Sequence, residues 1–151
     1  MASKRSERFK PIHNIARQSE DVAAQMLGKI QSELSNHNLK LSELMKYHHD
    51  YILRFNEEAM NGMSITQVRS YQKFISQLEI AIIEQKKQIC RVSEACDSSR
   101  ADWTIERQKT QVLEKVINRY KKKEQQIQSK KEQRHTDEFV TNSFWHKNKQ
   151  T

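Results

Sequence analysis

The stretch Ala59-Met60-Asn61-Gly62-Met63-Ser64-Ile65-Thr66-Gln67 decides the fold. Asn-Gly reads as a helix stop, because glycine takes up the left-handed conformation that closes a helix without a Cβ clash. Two residues on, Ser64 and Gln67 have the spacing of a capping box, in which a hydroxyl and a side-chain amide each satisfy a free backbone donor at a new helix start. Before the interruption, Leu27, Ile30, Leu34, His37, Leu41, Leu44, His48, Tyr51 and Phe55 recur in alternating steps of three and four. After it, eighteen positions from Val68 to Ile127 keep the same rhythm and thirteen are apolar, among them Tyr71, Ile75, Leu78, Ile82, Ile89, Val92, Trp103, Leu113, Ile117 and Tyr120. That spacing keeps side chains on one narrow helical stripe, the seam of a coiled coil. The chain is therefore expected to be all-α, a long antiparallel two-helix coiled-coil hairpin with the second helix longer.

Working outward from the turn at 61–64, the first coiled-coil helix is expected over 11–60, since Pro11 suits a first helical turn where its missing N–H costs little. An early ladder, Ile12, Ile15, Ser19, Val22 and Met26, begins there. Because Met26, Ile30 and Leu34 are successive steps of four, the supercoil is expected to relax near Gly28. The second coiled-coil helix is expected over 65–135 with a C-terminal overhang, leaving a basic N-terminal segment at 1–10 and a polar tail at 136–151. At about 1.5 Å per residue the helices would measure roughly 75 Å and roughly 100 Å or more. A turn at Gly62 pairs residues whose numbers add to about 125, which sets Phe9 against Val116, Trp103 against Val22, and everything past Val116 in the overhang.

A hydrophobic fraction of 35% and a charged fraction of 30% leave little for a globular core, and two glycines and one proline supply too few breaks for a sheet-based enzyme. No apolar run approaches the ~18 residues of a membrane span, and the basic N-terminus lacks a following apolar stretch, so a soluble cytosolic chain is expected. Cys90 and Cys96 lie six apart on one helix and point in different directions, which fits two reduced thiols rather than a bridge. The net charge of +8 is concentrated: residues 1–10 carry +3 and residues 117–135 carry +5. Folding at Gly62 brings the two stretches to the same end.

Candidate sites follow from this geometry. Leu44 faces Ala81, Tyr47 faces Leu78 and Tyr51 faces Phe74; Leu44, Tyr51 and Leu78 belong to the seams, whereas Tyr47, Phe74 and Ala81 fall beside them. The cluster reads either as an aromatic-rich thickening of the seam or as a docking patch for a partner protein. The histidine pair His48 and His49 points about 100° apart and lacks completing ligands, while His37 and His48 are roughly 16 Å apart along the axis, so no metal site is expected and polar seam residues are read as fixing register. The lysine-rich segment has no interleaved aromatics or reading motif for nucleic acid. No phosphate loop or nucleophile-base pair is visible, and neither catalysis, a cofactor nor a small-molecule substrate is expected.

The run Leu44, Tyr47, Tyr51, Asn61-Gly62, Tyr71-Gln72-Lys73-Phe74, Leu78-Glu79 and Ala81 resembles the FliJ family of the bacterial flagellar type III export apparatus. Trp103 and the late Asp137-Glu138-Phe139 are also similar to that family. The resemblance implies a non-catalytic export component, built like the central stalk of rotary ATPases, that couples the export ATPase ring to the membrane export gate. The implied partners are the hexameric flagellar export ATPase, the gate protein FlhA and flagellar export chaperones, whose recycling it assists. The implied location is cytoplasmic, peripheral to the inner-membrane apparatus. The gate-contacting surface of the family matches Leu44, Tyr47, Tyr51, Phe74, Leu78 and Ala81, the cluster that the turn assembles; Lys40 and Gln85 at its edge depart from the family pattern. The ATPase ring is expected to meet the basic end through Lys4, Arg5, Arg8, Lys121, Lys122, Lys123, Lys130, Lys131 and Arg134. The alternative is a general coiled-coil secretion chaperone or scaffold.

Overall fold

The computed structural model describes residues 3–149; Met1, Ala2, Gln150 and Thr151, the outermost residues of the expected N-terminal segment and tail, lie outside the described residues. Two helices pack against each other as a helical hairpin, α1 over Arg5–Asn61 and α2 over Ile65–Asn148. Gly62 adopts φ +94°, the single left-handed residue described, and its N–H closes onto the Ala59 carbonyl at 3.4 Å. The capping box is formed in both directions: the Gln67 N–H donates to Ser64 Oγ and the Ser64 N–H to Gln67 Oε1, each at 3.2 Å.

The chain divides into two compact units, residues 21–104 and residues 1–20 with 105–151. In the first of these, Ala23, Leu27, Ile30, Leu34, His37, Leu41, Leu44, His48, Tyr51 and Phe55 are the buried or half-buried row of α1. They meet the row of α2 that runs through Leu78, Ile82, Gln85, Val92 and Cys96. The polar seam pair bonds across the interface: Gln85 Nε2 donates to the His37 carbonyl at 2.9 Å and sits 3.1 Å from the His37 Nδ1. Cys96 fills the seam and Cys90 is exposed, both as free thiols.

In the other unit the row of α1 is Ser6, Phe9, His13, Ala16 and Glu20, packed against Thr110, Leu113, Ile117, Tyr120 and Glu124 of α2. This corrects the expected early ladder. Ile12, Ile15, Val22 and Met26 are all exposed, and the steps of three and four continue through Ala23 and Leu27 without a relaxation at Gly28. Two contacts hold the phase at the N-terminal end: the rings of Phe9 and Tyr120 stack at 5.6 Å, and Glu124 accepts from both the N–H and the hydroxyl of Ser6, at 3.1 and 2.6 Å.

Phe9 therefore meets Tyr120 rather than Val116, one turn further along α2. Side chains lean toward the N-terminus of their own helix, and in an antiparallel pair the two rings lean toward each other from offset positions. The paired seam accordingly reaches Glu124, and the overhang begins after it. Val22 stands exposed on α1 rather than inside against Trp103.

The helix limits also differ. Pro11 lies six residues inside α1, tolerated because the carbonyl that loses its partner, that of the exposed Glu7, can bond to water. The segment expected as a polar tail continues α2 to Asn148 and exposes Phe139, Val140, Phe144 and Trp145. No side chain among the described residues is completely enclosed, so the core is a line of contacts rather than an interior.

Candidate docking site

The aromatic cluster forms next to the turn, where the capping geometry fixes how α1 and α2 leave Gly62. The rings of Tyr51 and Phe74 lie 4.3 Å apart and tilted by 43°, and Tyr71 is 6.3 Å from Tyr51 and 5.9 Å from Phe55. Arg54 caps the outer face of Tyr51, its guanidinium carbon 5.6 Å from the ring centre. Beside the rings, His48 Nε2 meets Glu79 Oε1 at 3.2 Å. A hydrogen bond with Glu58, followed by partial burial, raises the Tyr71 phenol above its ordinary value and keeps it neutral.

Leu78 is buried, and Leu44, Tyr51 and Ala81 are half-buried. Tyr47 is 57% exposed and Phe74 39%, so two aromatic side chains stand partly out of the seam while leaning on it. Such a surface is largely apolar, with the Tyr71 phenol and the charged residues Arg54, Glu58 and Glu79 at its rim. Those properties suit recognition of another protein. At its edge Lys40 is exposed; Gln85 is committed to His37 and is buried.

The basic residues separate into two settings. Lys4 and Lys121 line a shallow groove of about 370 Å³ with Ser6, Lys10, Glu124 and Glu132, and Arg5 sits 6.0 Å from the centre of the Tyr120 ring. The two stretches of positive charge are thus brought together by the Ser6–Glu124 bonds. Arg8, Lys122 and Lys123 are exposed nearby, whereas Lys130, Lys131 and Arg134 are exposed on the part of α2 beyond the paired seam. Serine donation to Glu124 lowers its carboxyl below the ordinary glutamate range. The exposed Phe139, Val140, Phe144 and Trp145 are surface features that reading 136–151 as polar overlooked; their signal was the plain density of aromatics in 139–145. No helix among the described residues is long and apolar enough to cross a membrane.

No solved structure matches the chain. A flagellar FliJ protein from Salmonella typhi is 24% identical over 129 residues, covering 85% of this chain and 88% of that protein. The corresponding protein of Escherichia coli strain K12 is 22% identical over the same coverage. The sequence model of the flagellar FliJ protein matches residues 5–149, both helices and the turn between them. The chain belongs to the flagellar FliJ family.

Proposed function

We propose that this chain is a soluble, non-catalytic component of flagellar type III protein export that links the hexameric export ATPase to the membrane gate protein FlhA and assists the recycling of export chaperones. Family membership supports a place in flagellar export. The observation that carries the finer reading is the aromatic patch: Leu44, Tyr47, Tyr51, Phe74, Leu78 and Ala81 resemble the family's gate-contacting surface, and within it the rings of Tyr51 and Phe74 meet at 4.3 Å. On this reading the patch supplies affinity for the gate. The basic residues Lys4, Arg5, Arg8, Lys121, Lys122 and Lys123, with Lys130, Lys131 and Arg134 beyond them, steer and seat the ATPase ring. The chain works in the cytoplasm, peripheral to the inner-membrane apparatus.

The experiment is the rate of the flagellar export ATPase against added protein, together with binding to the cytoplasmic part of the gate. Three forms are compared: the intact chain, Phe74→Ala, and a chain ending after Gln126. The last removes Lys130, Lys131 and Arg134 while keeping Tyr120 and Glu124. Stimulation by the first two forms but not the third, with gate binding lost only in Phe74→Ala, is the expected pattern. No stimulation by any form would leave the general coiled-coil chaperone or scaffold as the better reading.

A further inference from the structure

The displaced apolar ladder has a consequence of its own. In the unit of residues 1–20 and 105–151, Ile12 and Ile15 of α1 and Ile105 and Val112 of α2 line one groove of about 700 Å³, with Ser19, Glu106 and Lys109 at its sides. The four apolar side chains are between 50% and 64% exposed. They are not scattered. With Ser6 and Phe9 at the a and d seam positions of α1, and Thr110 and Leu113 at those of α2, all four fall at the c and g positions of one flank. The opposite flank, at b and e, presents Lys10, Asn14 and Arg17 on α1 and Gln111, Glu114 and Asn118 on α2, without an apolar residue. A second apolar stripe in phase with the first, on both walls of a groove between two helices, is the arrangement that receives a third helix.

The charges on that flank select the occupant. The charged residues at c and g positions along the paired part of this unit are Arg5, Arg8, Lys109, Arg119 and Lys123, and every one is basic; the one carboxylate lining the groove, Glu106 at a seam position, lies 3.5 Å from Lys109 and leaves the flank with an excess of positive charge. A second copy of this chain would bring the same basic flank and a net charge of +8 against it, which costs rather than stabilises. The chain's own apolar residues at 139–145 belong to the unbroken helix α2 and cannot fold back without breaking it. We propose that this groove docks an acidic amphipathic helix of a partner protein, its apolar stripe lying between Ile12, Ile15, Ile105 and Val112 and its carboxylates meeting the flanking arginines and lysines. The site shares no residue with the aromatic patch, and it shares Arg5, Arg8 and Lys123 with the proposed ATPase contact, whereas its apolar walls and Lys109 belong to neither.

The test uses the full chain and designed probes: a four-heptad peptide with leucine at a and d and glutamate around them, the same composition in scrambled order, and an ordered peptide with lysine in place of glutamate. Affinities are measured by fluorescence anisotropy at low and high salt. The ordered acidic peptide should bind on the order of tenfold or more tightly than either control, and less tightly as salt rises. Ile15→Ser with Val112→Ser should remove that preference, while Asn14→Ser with Gln111→Ser on the other flank should leave it. Arg8→Glu with Lys109→Glu keeps the apolar surface and should shift the preference toward the lysine peptide, which separates recognition from any loss of helicity in the first variant. Equal binding of ordered and scrambled acidic peptides would overturn the proposal, as would insensitivity to both groove variants. Self-association of the chain that disappears in the Ile15 and Val112 variant would overturn it too, by giving the groove to a second copy.

Discussion

At the scale of single residues, the Ser6–Glu124 pair ties the N-terminal turn of α1 to α2 across 118 positions of sequence. Because donation from Ser6 holds the Glu124 carboxyl below its ordinary value, the folded state binds a proton there less readily than the unfolded chain. The contribution is therefore complete above the ordinary glutamate value of about 4.3 and disappears as pH falls through the lower folded value. A carboxyl titration by NMR should give Glu124 a midpoint below the ordinary glutamate value, and Ser6→Ala should move it up. Phe74 and Leu78 give a second contrast. Leu78→Ala should destabilise by about 2–3 kcal/mol, a loss of buried seam, whereas Phe74→Ala should cost about 1 kcal/mol or less and weaken gate binding instead. Denaturant titration with far-UV circular dichroism checks both, and a large loss of helicity in Phe74→Ala would reduce that ring to seam packing. The partnership of Gln85 with His37 was not legible in the sequence, since a polar residue on the seam does not announce which carbonyl across the interface it will reach.

At the scale of the helix, the turn was readable because its chemistry is local. Asn-Gly and the Ser64–Gln67 spacing need only nearby backbone to act, and both form as their residue types require. Gly62→Ala forces a Cβ into a left-handed conformation and should cost about 1–2 kcal/mol in chemical unfolding although nothing lies near enough to clash with it. The row from Leu27 to Phe55 was equally plain, since large side chains mark nearly every step. The first 26 residues were not, because two stripes one residue apart compete there: Ile12 beside His13, Ile15 beside Ala16, Val22 beside Ala23 and Met26 beside Leu27. Reading by hydrophobicity selects the larger side chain, whereas packing keeps the phase already set nearer the turn. A helix that switched stripes would have to rotate and give up the Phe9–Tyr120 stack and the Ser6–Glu124 bonds. Small Ala16 and Ala23 serve on the seam because the large residues are placed outside it.

At the scale of the whole molecule, each unit is held by its own seam, and Tyr47, Phe74, the basic residues and the Ile12–Val112 groove are exposed beside it. Replacing Lys121, Lys122 and Lys123 together by glutamine should leave the melting temperature within a few degrees, since exposed charges contribute little to folding, yet diminish ATPase stimulation. Unchanged stimulation would remove this stretch from the ring contact. The fold class was legible from periodicity alone and the family from the aromatic order around the turn, whereas the groove needed coordinates to be seen. That no side chain among the described residues is completely enclosed bears on calorimetry. The chain exposes 12655 Å², against the roughly 8,000 Å² of a compact protein of the same mass, so unfolding uncovers about half of its extended surface rather than about 70%. Heat capacity follows newly hydrated apolar area, and its increase on unfolding should therefore fall below the usual ~12–15 cal/mol/K per residue. With so shallow a curvature, stability drifts slowly with temperature, and cooling weakens these linear seams far less than it would a protein built around an oily centre.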